Sequence, residues 1–253
     1  MSFLSHSSYR AISFFLKFSF FSLLLLSVAV FAGGRLASKG DTAIDADSAA
    51  SAMPTFTIIV DAGHGGRDGG ASADDDGTLE KHLNLAVAKK LAALLETANV
   101  RVVMTREDDI ELADPSSSHK KLDDFKARIA IAEQYENALF VSIHMNKFPI
   151  AKYSGLQVYY SVDNPGSRVL AGQIQSDSAA YLRVKNERKI KPAGDSIYIL
   201  SHLEMPAVLV ECGFLSNYEE KERLKTEDYQ RELAMSLYTS ILTYLSQQTA
   251  SDT

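Results

Sequence analysis

A chain of 253 residues with 46% hydrophobic content is long enough to bury one substantial core, and nothing in its composition calls for a second folded domain. The formal charge of −6 leaves no basic footprint for DNA or RNA, so no nucleic-acid partner is expected. The single cysteine, Cys212, excludes an intramolecular disulfide and a cysteine zinc cluster, and within the apolar run 207–212 it reads as a small buried hydrophobe.

Residues 1–53 differ from the rest. Arg10 and Lys17 precede the uncharged stretch 18–32, rich in Phe, Leu and Val, and Val30-Phe31-Ala32 fits a cleavage site. Residues 1–32 are therefore expected to be either a cleaved signal peptide or a membrane anchor. The second reading stands because residues 11–16 extend the apolar run towards the ~20 residues that a bilayer needs. Residues 33–53, with many Ala, Ser and Asp, read as a flexible linker. The folded part, 54–248, is expected outside the cytoplasm, followed by a short tail at 249–253.

The first strand of that part is the β-branched run Ile58, Ile59 and Val60, which breaks into a loop at Gly63, Gly65, Gly66, Gly69 and Gly70. His64 lies in this loop. The position just past the carboxyl end of an α/β strand is where such sheets place ligands. A phosphate cradle is the rival reading, but the spacing and the lysine of a phosphate loop are missing.

Leu83, Val87, Leu91, Leu94 and Leu95 recur at helical spacing over 80–95, a helix that starts near Glu80 and stops at Asn99. A second strand follows at 100–105, then a polar loop at 106–121. The next helix is expected at 123–136, with Phe125, Ile129 and Ala132 on one face, and the next strand at 139–145, ending in His144. A strand at 155–161, a helix at 167–182 capped by Ser167, and two short strands at 197–201 and 207–212 come next. Two helices close the chain, 218–224 and 227–246, with Thr226 as the cap of the second. Strand, helix and strand in alternation imply an α/β fold: a single domain with a twisted, mostly parallel sheet of about six strands and helices on both faces.

In a parallel sheet the carboxyl ends of the strands share one edge, so residues distant in sequence can converge there. His64, His144 and Glu211 all stand at such ends, and Glu80 opens the first helix. Two imidazoles and one carboxylate form the ligand set of a catalytic zinc with an open position for water, and the second carboxylate is then free to act as base. Blander roles exist. A strand-end histidine is often a hydrogen-bonded surface residue, and a glutamate at position 80 suits the positive end of its helix. Glu211 is harder to dismiss, because a carboxylate inside the apolar run 206–215 is costly unless paired, metal-bound or functional. Of the other histidines, His6 falls in the targeting segment, while His82, His119 and His202 read as non-catalytic, with His202 a weak candidate for substrate contact.

The blocks Val60-Asp61-Ala62-Gly63-His64-Gly65-Gly66-Arg67-Asp68-Gly69-Gly70-Ala71, Glu80-Lys81-His82-Leu83-Asn84, Val141-Ser142-Ile143-His144-Met145-Asn146 and Val210-Glu211-Cys212-Gly213-Phe214-Leu215-Ser216-Asn217 resemble, in order and spacing, the four signatures of the zinc-dependent N-acetylmuramoyl-L-alanine amidases of type 3. The resemblance covers about residues 55–246. It departs at Ala62, where many relatives have proline, and at His82, often acidic in the family; neither is a ligand position. The likeness implies a zinc exopeptidase-like fold, zinc held by His64, Glu80 and His144, and Glu211 as the catalytic residue. It also implies hydrolysis of the bond between the lactyl group of N-acetylmuramic acid and L-alanine in peptidoglycan.

Within the family the chain is similar to the spore-cortex amidases, which share a short hydrophobic amino-terminal segment and the block Lys152-Tyr153-Ser154-Gly155-Leu156-Gln157. In that group cleavage is the first step towards muramic-δ-lactam, and some members depend on a lipoprotein partner. Asp61 is a candidate acceptor for a ligating imidazole and Asn146 a candidate for orienting substrate, each against a plain loop-capping role. Two rival functions remain: a catalytically inactive peptidoglycan-binding protein, and a zinc peptidase acting on stem peptides.

Overall fold

The computed structural model describes residues 56–98, 100–183 and 186–251. The expected targeting segment and linker, the helix stop at Asn99, and the last two residues of the tail lie outside the described residues.

Six strands form one sheet: β1 (Thr57–Ala62), β2 (Arg101–Met104), β3 (Ala138–Asn146), β4 (Gln157–Tyr160), β5 (Lys191–Pro192) and β6 (Ala207–Phe214), in the spatial order β2-β1-β3-β6-β4-β5. The pairs β1–β2, β1–β3 and β3–β6 are parallel, while β4 runs antiparallel to β6 and carries β5 beside it in parallel. Every residue of β1 is buried, and so are seven of the nine in β3. Central parallel strands are covered on both faces, which is why they read as unbroken apolar runs.

The helices are α1 (Glu80–Glu96), α2 (Lys120–Ala132), α3 (Pro165–Tyr181), α4 (Tyr218–Leu224) and α5 (Glu227–Ser251). One face of the sheet, with Val60, Val141, Ile143, Val210 and Cys212, packs against Val87 and Leu91 of α1, Ile174 of α3, and Leu233 and Leu237 of α5. The other face, with Ile59 and Phe140, takes Ile129 and Ala132 of α2 together with Leu200 and Leu203 from an irregular segment. Cys212 is fully buried, and that burial pushes its thiol well above the ordinary range.

Two expectations are corrected. Residues 197–201 are not a strand: Ile197 donates to Gly194, Ser201 to Ile197 and His202 to Ile199, so local turns satisfy the backbone. The apolar residues that mimicked a strand serve instead to bury Leu200 and Leu203 on the sheet face, and the sheet edge is formed by the two-residue β5. Its proline suits an edge, where one side of the ladder is unpaired. The cap of α3 is Asn164, whose side chain accepts from the Gly166 N–H, with Pro165 in the first turn. Ser167 is buried one step inside the helix, and its Oγ accepts from Ala207 N at 2.9 Å, tying α3 to β6. The expected cap of α5 is present: Thr226 Oγ1 accepts from Tyr229 N at 3.3 Å.

The carboxyl end of β1 is anchored by a buried ion pair. Asp61, with no exposed surface, accepts from Arg128 Nη1 (2.6 Å), Thr105 Oγ1 (2.6 Å) and Ser142 Oγ (2.5 Å), and Asp124 takes the Nε of the same arginine at 2.7 Å. Burial opposes its charge, but Arg128 and the two hydroxyls outweigh it and hold the Asp61 carboxyl below the usual range. Removing one partner of such a pair leaves the other charge buried alone. Arg128→Met should therefore lower the unfolding free energy by about 3–5 kcal/mol, read as a lower urea midpoint at unchanged m-value.

Candidate metal centre

Strands β1, β3 and β6 run parallel, so their carboxyl ends bring three stretches to one edge. The register places His144 directly beside Glu211, and it shifts between His144 and Asn146. Such an irregularity re-aims side chains, and here it falls at the site. His64 follows β1 in a loop where it adopts a positive φ of 61°, a conformation uncommon outside glycine.

The structure brings His64, Glu80 and His144 together, with one ligand atom from each all within 4.8 Å of one another. Glu80 Oε1 lies 2.9 Å from His144 Nδ1 and 3.3 Å from His64 Nε2, and the two rings meet edge to face with centroids 4.9 Å apart. Glu80 is 3% exposed. Its Oε1 also accepts from Met145 N at 3.1 Å and Asn84 Nδ2 at 3.2 Å, and its Oε2 from Ala71 N at 2.8 Å. None of these donors is a backbone N–H of its own helix, so the carboxylate serves the cluster and not the helix end.

Charge in the cluster is strongly coupled. Burial works against the carboxylate of Glu80, yet the two imidazoles bonded to it pull its pKa far below the carboxylate range. Burial likewise opposes a charged His64, but its bonds to Asp68 and Glu80 outweigh that and raise it to about 9. Without an ion, then, a proton on His64 balances Glu80 at neutral pH. A divalent cation would replace that proton and meet two imidazoles and a carboxylate already in place, the donor chemistry of a catalytic zinc site.

The loop glycines make this approach possible. A Cβ on Gly63 would stand 2.2 Å from the His144 ring, and one on Gly70, where φ is +67°, would stand 2.6 Å from Glu80 Oε2 and 2.7 Å from His64 Cδ2.

Sequence reading missed several supports. The imidazole partner is Asp68, whose Oδ2 lies 2.9 Å from His64 Nδ1, and not Asp61, which is committed to Arg128 and two hydroxyls. Arg106 donates to Ala62 O, Gly63 O and Lys81 O, while Arg128 donates to Ala62 O and His64 O. The signal for Arg128 was present: it sits three residues after Phe125 and one before Ile129, inside the apolar stripe of α2. His82 is exposed on α1 and 4.0 Å from Asp109, and His119 is exposed just before α2. His202 stacks on Tyr198 at 3.9 Å; the structure brings none of these three into the cluster.

Glu211 is flanked on its neighbouring strands by His144 and Gln157. His144 turns to Glu80, and Gln157 gives its side-chain N–H to Lys189 O; among the described residues the buried Glu211 Oε2 has no hydrogen-bond partner. Burial, with Glu80 adding to it, raises the Glu211 carboxyl to about 7 against the opposing pull of His144. The sign follows from linkage: a carboxyl raised from 4.5 to about 7 favours the fold below pH 4.5 and loses that contribution as pH rises through 7. In metal-free protein, Glu211→Gln should match the wild type near pH 4.5 and exceed it by about 3 kcal/mol at pH 8, measured by chemical unfolding at both pH values.

Residues 58–243 match the family described as N-acetylmuramoyl-L-alanine amidase. The chain is 35% identical over 194 residues to the germination-specific N-acetylmuramoyl-L-alanine amidase of Bacillus subtilis, covering 76% of this chain and 80% of the relative. It is similar to the CwlD amidase of Clostridioides difficile, solved in complex with the GerS lipoprotein, at 41% identity and a TM-score of 0.72 over 75% of this chain and 98% of the other. The catalytic domain of CwlV from Bacillus (Paenibacillus) polymyxa var. colistinus superposes with a TM-score of 0.66 at 31% identity, over 76% and 98%. With the family match spanning most of the folded part, and relatives above 30% identity covered over most of their length, the chain belongs to the N-acetylmuramoyl-L-alanine amidase family.

Proposed function

We propose that this chain hydrolyses the amide between the lactyl group of N-acetylmuramic acid and L-alanine in peptidoglycan, with zinc held by His64, Glu80 and His144, and with Glu211 as the acid–base residue. One observation carries the reading: two imidazoles and a carboxylate converge within 4.8 Å beside a buried carboxyl oxygen that has no partner. When bound, zinc supplies Lewis acidity and makes water a competent nucleophile near neutral pH.

The chain's own residues do the rest. Asp68 accepts from His64 Nδ1 and so leaves Nε2 facing the cluster as a lone-pair donor. Met145 N and Ala71 N hold the Glu80 carboxylate against rotation. Glu211 takes a proton at Oε2 from the attacking water and passes it to the leaving amine nitrogen of L-alanine. The carbon–nitrogen bond breaks as the new carbon–oxygen bond forms, leaving a lactyl carboxylate on the glycan and a free amino terminus on the peptide.

The name of the B. subtilis relative supports a role in spore-cortex maturation, where such cleavage leads towards muramic-δ-lactam. The complex of the C. difficile amidase with GerS supports a lipoprotein partner for this chain. Among the described residues no helix is long and apolar enough to cross a membrane. The proposed export signal or anchor is the apolar stretch 18–32, which would place the enzyme on the outer side.

Glu211→Gln should keep its zinc and lose at least about 100-fold in rate on purified peptidoglycan, scored by new L-alanine amino termini; full activity would end the proposed role. His144→Ala should lose the ion, and elemental analysis showing a full complement of zinc would contradict the ligand set. Mass spectrometry of products with and without chelator separates an amidase, which frees intact stem peptides, from an inactive binding protein and from a zinc peptidase that shortens the stem.

A further inference from the structure

On the β4 side of Glu211 lies a cavity of about 300 Å³, lined by Asn146, Phe148, Tyr153, Tyr159, Arg188 and Lys191, with Phe214 behind them. Asn146 and Phe214 are register partners two and three residues past His144 and Glu211, so the cavity starts roughly 7–10 Å along the strands from that pair, at about 3.3 Å per residue. Gln157, opposite Glu211 in the register, makes a long 3.5 Å contact with Arg188 Nη1, which puts the guanidinium one side chain beyond the proposed acid–base residue.

Among the described residues the cavity wall carries two cations and no carboxylate. Arg188 lies 4.4 Å from the Phe214 ring centroid and spends Nε on Ser154 O at 2.8 Å. Lys191 is exposed on the edge strand, 5.9 Å from the Tyr159 ring. Glu220, whose charge reaches Arg188, commits both oxygens to the N–H groups of Gly155 and Phe214. The other flank of the cluster differs. One cavity there, of about 140 Å³, is walled mostly by apolar and aromatic groups such as Phe125, Ile197, Tyr198 and Leu209, with one lysine, Lys121, and in another the cations Arg67, Lys120 and Lys121 face Asp68, Glu111 and Asp124. The β4-side wall thus offers an anionic group of the substrate two cations, Arg188 with the Glu220 charge acting on it and Lys191 on the exposed edge.

A peptide leaving the scissile amide advances about 3.3–3.6 Å per residue, so a group on its second residue reaches this distance. In a peptidoglycan stem that residue is a glutamate joined through its γ-carboxyl, which leaves its α-carboxylate free or amidated. We propose that Arg188, assisted by Lys191, forms a carboxylate subsite for that α-carboxylate and makes the enzyme prefer stems in which it is free. A guanidinium seated 4.4 Å from a ring centroid, with Nε fixed on Ser154 O, can present its remaining N–H groups to a carboxylate as a fork, which a lysine cannot match. The proposal rests on the amidase reading above.

The test compares two muropeptides that differ only in amidation of this carboxylate, together with the corresponding free stem peptides as binding probes. Wild type should show about tenfold higher kcat/KM for the free acid, carried by KM, and about tenfold tighter binding of the free-acid peptide. Arg188→Gln should bring both ratios towards one, Arg188→Lys should restore part of them, and Lys191→Gln, which removes no hydrogen bond of the fold, should lower them to about threefold. Ratios unchanged in all three variants would overturn the subsite. A wild type that cleaves neither muropeptide but still prefers the free-acid peptide would sink the amidase reading and leave the subsite standing.

Discussion

The carboxylate of Glu80 is held between two imidazoles and two backbone N–H groups, and this single cross-link joins α1, the loop after β1 and the end of β3. A charge this deeply buried must be compensated, and hydrogen bonds from neutral donors alone do not balance it. Either a proton on His64 or a cation shared with the imidazoles does so. The same cluster is therefore a structural joint and a candidate ion site, and the two roles would exchange one positive charge for another.

Around that joint the protein invests in rigidity. His64 sits at a φ that few side chains adopt, and such a conformation persists only where its surroundings over-determine it. Two arginines supply that constraint. Arg106 and Arg128 together bond the carbonyls of Ala62, Gly63 and His64, and Arg128 is neutralised in turn by Asp61 and Asp124. Gly63 and Gly70 then let the His144 ring and the Glu80 carboxylate come closer than any larger residue would permit. The loop looks loose in composition and is one of the most heavily bonded parts of the chain.

The ground on either side of the cluster is unequal. Towards α2 it is aromatic and apolar around Lys121, with Phe125 stacked on Tyr198 and Tyr198 on His202, and beyond it cations and carboxylates face one another. Towards β4 it is aromatic and cationic, through Tyr153, Tyr159, Arg188 and Lys191. A strand of uncharged sugars bearing charged peptides presents the same contrast across its lactyl amide. Under the proposed subsite the peptide runs towards β4, past Glu211.

The order and type of most elements, and the four residues of the candidate site, were legible in the sequence, because periodicity is local and because a carboxylate such as Glu211 in an apolar run is anomalous on its face. What the chain order did not determine was partnership. Asp61 looked like a support for an imidazole and pairs instead with Arg128, 67 residues away; Asp68, four residues from His64, does that work. Residues 197–201 have the composition of a strand, yet local turns satisfy their backbone and the edge passes to β5. Hydrogen-bond choices between distant groups, and the meeting of Arg188 and Lys191 on one cavity wall, exist only once the sheet has closed and burial has set which polar groups must find one another. Sequence alone points to candidate residues for the chemistry; the tertiary fold decides which of them meet, since the energy of an ionic contact depends on a separation that no local pattern encodes.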